Sequence, residues 1–255
     1  MRSIQGIAIY VMWLREIKRL LRAKSRLLGT LLMPLFLLVF LGMGFKRSSM
    51  PGMLGMNYSS FLTPGILAMS LLFSSTFSGL AVIWDREFGF LKEIMVAPVN
   101  RVSIVLGRIA GGVTTSLFQT LAILIVSVVL GFRPRHWIML FPALLLMVLI
   151  ASIFIGLGLA FASHLRDMQG FSMVMNFVIF PIFFLSGSMF PLTNFPQWLR
   201  LVARGNPLTY GVDGLRAALL GRSELPLSLN MLILAAFAVA AVIIGAWSFE
   251  KSESV

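Results

Sequence analysis

The chain has 255 residues, of which 58% are apolar and only 12% charged, with no cysteine and a net charge of +12. Soluble domains average about 25% charged residues, so this composition, with a mean hydropathy of +0.95, excludes an ordinary soluble fold. The missing cysteine excludes disulfides, thiolate metal sites and cysteine nucleophiles.

A net positive charge could indicate nucleic acid, but a nucleic-acid reader needs a hydrated basic face. Here Lys and Arg sit between apolar runs, where they anchor to lipid headgroups, so the expected partner is membrane lipid and not nucleic acid. The apolar run 7–14 is short, lacks a small-residue cleavage site and is followed by most of the positive charge, so it does not read as a signal peptide.

Residues 10–26 read as an interfacial helix. Arg15, Lys18, Arg19, Arg22 and Arg26 share one face at 3.6-residue spacing; Tyr10, Trp13, Leu14, Ile17, Leu20 and Leu21 share the other. Such a helix suits the surface of a leaflet, either as a topological anchor or as a gate at the membrane surface.

Six apolar stretches follow, near 27–45, 59–83, 109–131, 138–162, 171–190 and 229–249, each 19–25 residues long. About 20 residues cross the hydrocarbon core, and helices satisfy their own backbone there. The expected fold is therefore an all-α polytopic membrane protein with six transmembrane helices in one domain, 1–255. None of the six stretches holds Asp, Glu, Lys, Arg or His. Buried ionisable groups are how many pumps move protons, so this chain has no visible engine of its own. It reads as a passive pore or as part of a machine driven by another subunit. With the N-terminal tail inside, 13 of the 21 Lys and Arg lie inside, which places both termini in the cytoplasm.

Pro34 in the first span and Pro181 in the fifth are positions where helices kink. Span two aligns Thr63, Ser70, Ser74 and Ser78. These hydroxyls line a central route or bond across helices, as do Thr115, Ser116, Gln119 and Thr120 in span three. Asn176 in span five is a further polar candidate for the route. Ser152, Gly156 and Ala160 in span four form a small-residue stripe for close helix packing.

The segment 84–108 is the most informative inner loop. Trp84, Phe88, Leu91 and Met95 recur at helical spacing, the charges Asp85, Glu87, Lys92 and Glu93 lie elsewhere around the helix, and Pro98 stops it. A short amphipathic helix of this kind anchors at the interface or seats in a partner's groove. The segment 191–228 is long for an outer loop and reads as two short apolar helices split at Asn206-Pro207, dipping back into the outer leaflet as a re-entrant hairpin. Arg200, Arg204, Arg216 and Arg222 would then reach the outer headgroups.

No GxxxxGK[ST] phosphate loop occurs, so the chain does not bind ATP that way. Its two histidines, His136 and His164, have no visible metal-binding or catalytic partners, and no base follows Ser188 in a later span. No catalytic site and no metal site are expected in this chain.

Three local patterns carry a resemblance: Glu87-x-Gly89 with Pro98-Val99-Asn100-Arg101 and Gly107-Arg108; Phe184-Leu185-Ser186-Gly187 with Phe190-Pro191 and Pro196-x-x-Leu199; and Asn206-Pro207-Leu208-Thr209-Tyr210 through Asp213-Gly214-Leu215-Arg216. Together with the element order, they resemble the membrane subunit (permease) of ABC-2 type exporters. Asn100 stands where Ser is more usual in that pattern.

The resemblance implies two copies of this chain with two copies of a cytoplasmic ABC ATPase subunit, which would hold the ATP and Mg; the chain itself would need no cofactor. It implies a coupling helix over 87–98, with Glu87, Phe88, Gly89, Leu91, Met95, Pro98 and Arg101 facing the ATPase. It implies a substrate route between the copies, along spans one, two and five, and an outer gate at Asn206, Pro207, Tyr210 and Arg216. The cargo class it suggests is a drug or other hydrophobic amphiphile exported across the cell's inner (plasma) membrane. A lipid-linked glycan is the alternative cargo. The other readings of the uncharged spans are a passive pore or lipid scramblase, and a membrane-embedded assembly subunit.

Overall fold

The computed structural model describes residues 5–45, 51–53, 55–88, 99–165 and 167–252, and among these the regular structure is helical. In chain order the helices are α1 (Gly6–Arg22), α2 (Lys24–Gly44), α3 (Tyr58–Ser78), α4 (Leu80–Glu87), α5 (Arg101–Val129), α6 (Leu140–His164), α7 (Met168–Leu185), α8 (Gln197–Arg204), α9 (Pro207–Leu220) and α10 (Leu227–Ser252). Single 3-10 turns at Trp137–Met139 and Leu192–Asn194 precede α6 and α8.

Five helical segments are long and apolar enough to cross a membrane: Tyr58–Glu87, Val102–Val129, Trp137–His164, Met168–Leu185 and Leu227–Phe249. The first expected span also folds as a helix, α2, whose described apolar part, Gly29–Gly44, is shorter than the other five. Between the second and third stretches the helices extend past the apolar runs. α3 runs through a turn at Gly79 into α4, and α5 begins two turns before its apolar run, where the Asn100 side chain accepts from Val102 N at 3.0 Å. Asn caps a helix start as well as Ser does, so the departure at Asn100 keeps the cap.

α3 is the central element. Leu62, Ile66, Leu67, Leu71 and Leu72 are fully buried, and the helix packs against α2, α5, α6 and α9. α6 lies between α3 and α10 and packs most extensively on α10. Both of those contacts are set by missing side chains. A Cβ at Gly156 would lie 2.5 Å from the Ala241 carbonyl oxygen, and one at Gly245 would lie 2.6 Å from that of Gly156. On the opposite side, a Cβ at Gly158 would meet the Thr76 carbonyl oxygen at 2.6 Å, and one at Gly79 that of Gly158 at 2.5 Å. The stripe expected from Ser152, Gly156 and Ala160 is thus a packing face at Gly156. Gly158, outside the stripe, makes the second close approach.

α1 does not lie free of the bundle. It ends at Arg22, and α2 starts at Lys24, so the expected helix 10–26 is divided between the two. α1 runs parallel to the first turns of α5: Gln5 N donates to Ser103 Oγ (3.0 Å) and Trp13 Nε1 to Thr114 Oγ1 (3.0 Å). Gly107 and Gly111 on α5 leave no room for a Cβ against Met12 and Glu16. The polarity expected of α1 is partly reversed. Arg15 and Arg19 turn inward, while Ile7, Tyr10, Val11 and Leu21 are exposed. The physical reason is that acidic and aromatic partners on α4 outbid water for those two guanidiniums.

Gly158→Leu should force α3 and α6 apart and cost about 1–3 kcal/mol, the usual penalty of overpacking a tight contact. Thermal unfolding in detergent, followed by the loss of monodisperse protein, checks this against Gly44→Ala, where nothing lies within 4 Å of the new Cβ.

Candidate functional site

Three features of the fold carry chemistry. The first is a buried charge cluster where α1, α4 and α5 meet. Asp85 is 4% exposed and its carboxylate is held by two guanidiniums: Arg108 Nη2 donates to Oδ2 at 2.7 Å, and Arg15 Nη2 donates to Oδ1. Arg108 is equally buried. Glu16 borders the same small gap as Arg108. Arg86 Nη1 adds a tie from α4 to the Leu165 carbonyl oxygen beyond α6 (3.3 Å). Taking a pair of charges out of water costs several kcal/mol per ion, so such a pair adds little net stability, yet breaking it is expensive. What the cluster does is geometric. Asp85, in the last turn of α4, and Arg108, two turns into α5, fasten those helices to each other and, through Arg15, to α1.

The second feature is a cleft of about 440 Å³ bounded by α1, α2, α3, α4, α5 and Phe180 of α7. Ser70, Ser74 and Ser78 line it, so three of the four hydroxyls of the α3 stripe face this space, while Thr63 Oγ1 donates to the Ser59 carbonyl (2.9 Å). The stripe bonds little across helices: Thr120 Oγ1 donates to Ser70 Oγ at 3.4 Å, while Ser74 turns back to its own Leu71 carbonyl (3.5 Å). The closer inter-helix bond, 3.0 Å from Ser75 to Ser116, belongs to a residue beside the stripe. Asn176 lies on an exposed face of α7 and does not border the cleft; Phe180, one turn on, does.

The third feature is α9. Asn206 caps it, accepting from Leu208 N at 2.9 Å, while its Nδ2 donates to the Ile182 carbonyl of α7 (2.6 Å). Pro207 occupies the first turn, where its missing N–H costs nothing. Tyr210 Oη donates to the Arg204 carbonyl (2.7 Å), tying α9 to α8. Arg216, expected among the outer headgroups, is instead 7% exposed. Its guanidinium lies 3.6 Å from the Phe61 ring centre and donates to the Gly187 carbonyl at 2.7 Å. A ring face and the carbonyls of the Gly187 turn explain the correction: the guanidinium stacks on Phe61 and bonds through Nη2 inside the fold. Burial lowers its pKa to about 10, with Asp213 and Glu224 opposing the drop, so it stays charged at neutral pH. Arg200, Arg204 and Arg222 are exposed. Asp213, one turn before Arg216, accepts from Glu224 N (2.8 Å), Leu225 N (2.9 Å) and Asn230 Nδ2 (2.8 Å). α9 is thereby pinned to α3, α7, α8 and α10.

Of the expected coupling residues, Glu87 ends α4 and Phe88 follows it, both exposed. Gly89, Leu91, Met95 and Pro98 lie outside the described residues. Arg101 opens α5, and its side chain is likewise outside the described residues. Sequence reasoning missed two bonded pairs, Asp85 with Arg108 and Asp213 with Asn230, and the placement of Glu16 beside the first. The available signal was position: Asp85 and Arg108 each stand within two residues of an apolar stretch, and Asp213 is part of the most specific motif. Among the described residues no group of three or more His, Asp or Glu is placed to hold a metal ion.

Comparison with known proteins gives a consistent answer. The family model for the ABC-2 type transporter matches residues 7–220. The chain is 30% identical over 254 residues to the inner membrane transport permease YadH of Escherichia coli K12, covering 97% of this chain and 96% of that one. It is 31% identical over 208 residues to the ycf38 protein of Pyropia yezoensis, covering 79% and 70% respectively. It is 30% identical over 226 residues to nodulation protein J of Rhizobium leguminosarum bv. trifolii, covering 86% and 82%. With the long apolar helices, these matches make it an integral membrane protein.

Asp85→Ala should leave Arg108 buried without its carboxylate and cost about 3–5 kcal/mol. The double variant Asp85→Ala with Arg108→Met should recover most of that loss, because the stranded charge is gone. Thermal unfolding of the three proteins in detergent reads both effects. Arg216→Lys should also destabilise, by about 1–3 kcal/mol, since an ammonium cannot reproduce a planar group stacked on a ring and bonded at its edge.

Proposed function

The chain belongs to the ABC-2 type transporter family, and from that premise we propose that it is the permease subunit of an ATP-driven exporter. It moves a hydrophobic or amphiphilic substrate outward across the inner membrane. Two copies of the chain pair with two copies of a cytoplasmic ATPase, which supplies ATP and Mg. α2, α3 with α4, α5, α6, α7 and α10 are its six spans, both termini are cytoplasmic, and α8 and α9 form a re-entrant outer hairpin that gates the exit.

The observation that carries this reading is the buried Asp85–Arg108 pair that ties α4 to α5. A partner that pushes on α4 or α5 meets two helices already bound to each other through this pair. The push passes into α3, α5 and, through Arg15, α1. Closure of an ATPase dimer is a rigid-body motion, and rigid-body motion needs such a stiff receiver. Phe88, an aromatic ring standing in solvent just after α4, supports a docking contact there. The exposed rings of Phe36 and Phe40 on α2 and of Phe177 and Phe184 on α7 support a seam with a second copy along those helices. A cleft of about 440 Å³ suits a drug-sized amphiphile better than a polymer, since small-molecule sites run to about 300–1,000 Å³.

The test is ATP-dependent export from vesicles holding this chain with its ATPase. Phe88→Asp and Leu91→Asp should each cut export at least tenfold and weaken ATPase retention on the purified chain, while a crosslink between two copies of the chain persists. Full export by both variants would remove the docking assignment. Equal transport with and without nucleotide would favour a passive pore.

A further inference from the structure

The clamp around Asp85 has a spare acid beside it. Glu16 follows Arg15 on α1, and its Oε1 is buried with no hydrogen-bond partner. Arg108 has spare donors to match. Its Nη2 bonds Asp85, while Nε and Nη1 are buried and without a partner. Both residues border one void of about 10 Å³, the room that a single water takes. An unpaired buried polar atom is costly. Here the orphans are of opposite kinds, one acceptor and two donors around the same gap.

The backbone keeps the two within reach. The stem of Glu16 presses on α5 at Gly111, where a Cβ would lie 2.7 Å from the Glu16 Cβ. Met12, one turn earlier on α1, presses on Gly107 in the same way, at 2.6 Å. Arg108 therefore stands between these contacts, three residues below the Glu16 level, about 4.5 Å at 1.5 Å per residue. An extended arginine side chain is longer than that rise, so its guanidinium can reach Glu16 while α1 and α5 stay in contact.

The charges permit the exchange. Asp85, Glu16, Arg15 and Arg108 are two acids and two guanidiniums, neutral together however they pair. In this structure Asp85 takes both cations. Moving Arg108 leaves Asp85 with Arg15 and gives Glu16 a cation of its own, so neither pairing strands a buried ion. Two discrete pairings of one set of groups form the kind of bistable element that switching motions use.

We propose that Glu16 is a positioning residue of the transport cycle, the second acceptor for Arg108. On the permease reading, on which this step rests, the push passes from α4 to α5 through the Asp85 pairing, so that pairing belongs to the nucleotide-closed state. The Glu16 pairing belongs to the return. It keeps α1 and α5 joined and leaves Arg15 as the cluster's one bond to α4, which then resets.

The test is equilibrium binding of a non-hydrolysable ATP analogue to the full chain with its ATPase in nanodiscs. A group that stabilises one state alone shifts nucleotide affinity by its differential stabilisation. Glu16→Gln removes the acceptor of the return state and should tighten analogue binding by about fivefold. Asp85→Asn should weaken it by a similar factor. Glu16→Asp, which keeps the acid, should fall between Glu16→Gln and the unchanged protein. A gain in affinity is not what damage to the fold produces, so the two Glu16 variants decide the matter if Asp85→Asn does not fold. No shift with Glu16→Gln, weaker binding by it, or shifts of one sign at both acids would overturn the proposal. ATP-dependent export with an affinity indifferent to Glu16 would remove this switch and leave the permease reading standing. Absence of ATP-dependent export by the unchanged protein would overturn that reading, and the switch with it.

Discussion

A single carboxylate, Asp85, sets the mechanical character of this protein. It is buried at the meeting point of three helices and held by guanidiniums from two of them, Arg15 of α1 and Arg108 of α5. Each charge makes the others tolerable. Remove Asp85 and the buried Arg108 is left a desolvated ion, which is why the cluster fixes geometry far more than it adds stability. The glycines at 107 and 111 let α1 come close enough to α5 for Arg15 to reach. The α3–α4 turn at Gly79 and the start of α5 at Asn100 place the other two partners.

With that cluster in place, the bundle divides by how tightly its parts are held. α1, α3, α5, α6, α9 and α10 are locked together by backbone contact at glycines and by buried charges that find their partners in neighbouring turns. α9 shows the same logic as the Asp85 site on a second scale. Asp213 and Arg216 are one turn apart, and each bonds a different neighbour, so α9 is held from two sides. α2 and α7 are packed more lightly, present apolar faces outward and border the cleft. On the proposed reading, a push delivered to α4 and α5 meets this tightly packed part of the bundle, and the walls of the cleft at α2 and α7 are where the helices would shift.

Much of this was legible from residues alone. The apolar runs announced the long helices because a helix is the one open-ended structure whose backbone is satisfied in hydrocarbon. Asn206-Pro207 announced the split between α8 and α9, since Asn caps and Pro starts a helix. The hydroxyl stripe of α3 was visible, although spacing could not say whether it faced a neighbour or a space. What stayed hidden was pairing at a distance. Asp85 and Arg108 each read as the charged edge of an apolar run, and nothing in helical periodicity reports that two such edges meet. Arg216 read as a headgroup anchor because periodicity shows which side of a helix a residue is on, not that a ring and a free carbonyl wait there. The seating of α1 was hidden for the same reason. Its basic stripe looks like a water-facing one until the acid on α4 is known.

The most direct test of the central claim is a pair of spin-label distances in the complex with its ATPase. The chain has no cysteine, so labels attach only where they are placed, at exposed positions Ile7 on α1, Ile125 on α5 and Phe177 on α7. On adding ATP, the intramolecular Ile7–Ile125 distance should stay fixed, because the Asp85 cluster makes α1 and α5 one body, while the Ile125–Phe177 distance changes. An Ile7–Ile125 distance that shifts with nucleotide, or an Ile125–Phe177 distance that follows a pH step with no ATPase present, would contradict a drive that arrives through this clamp.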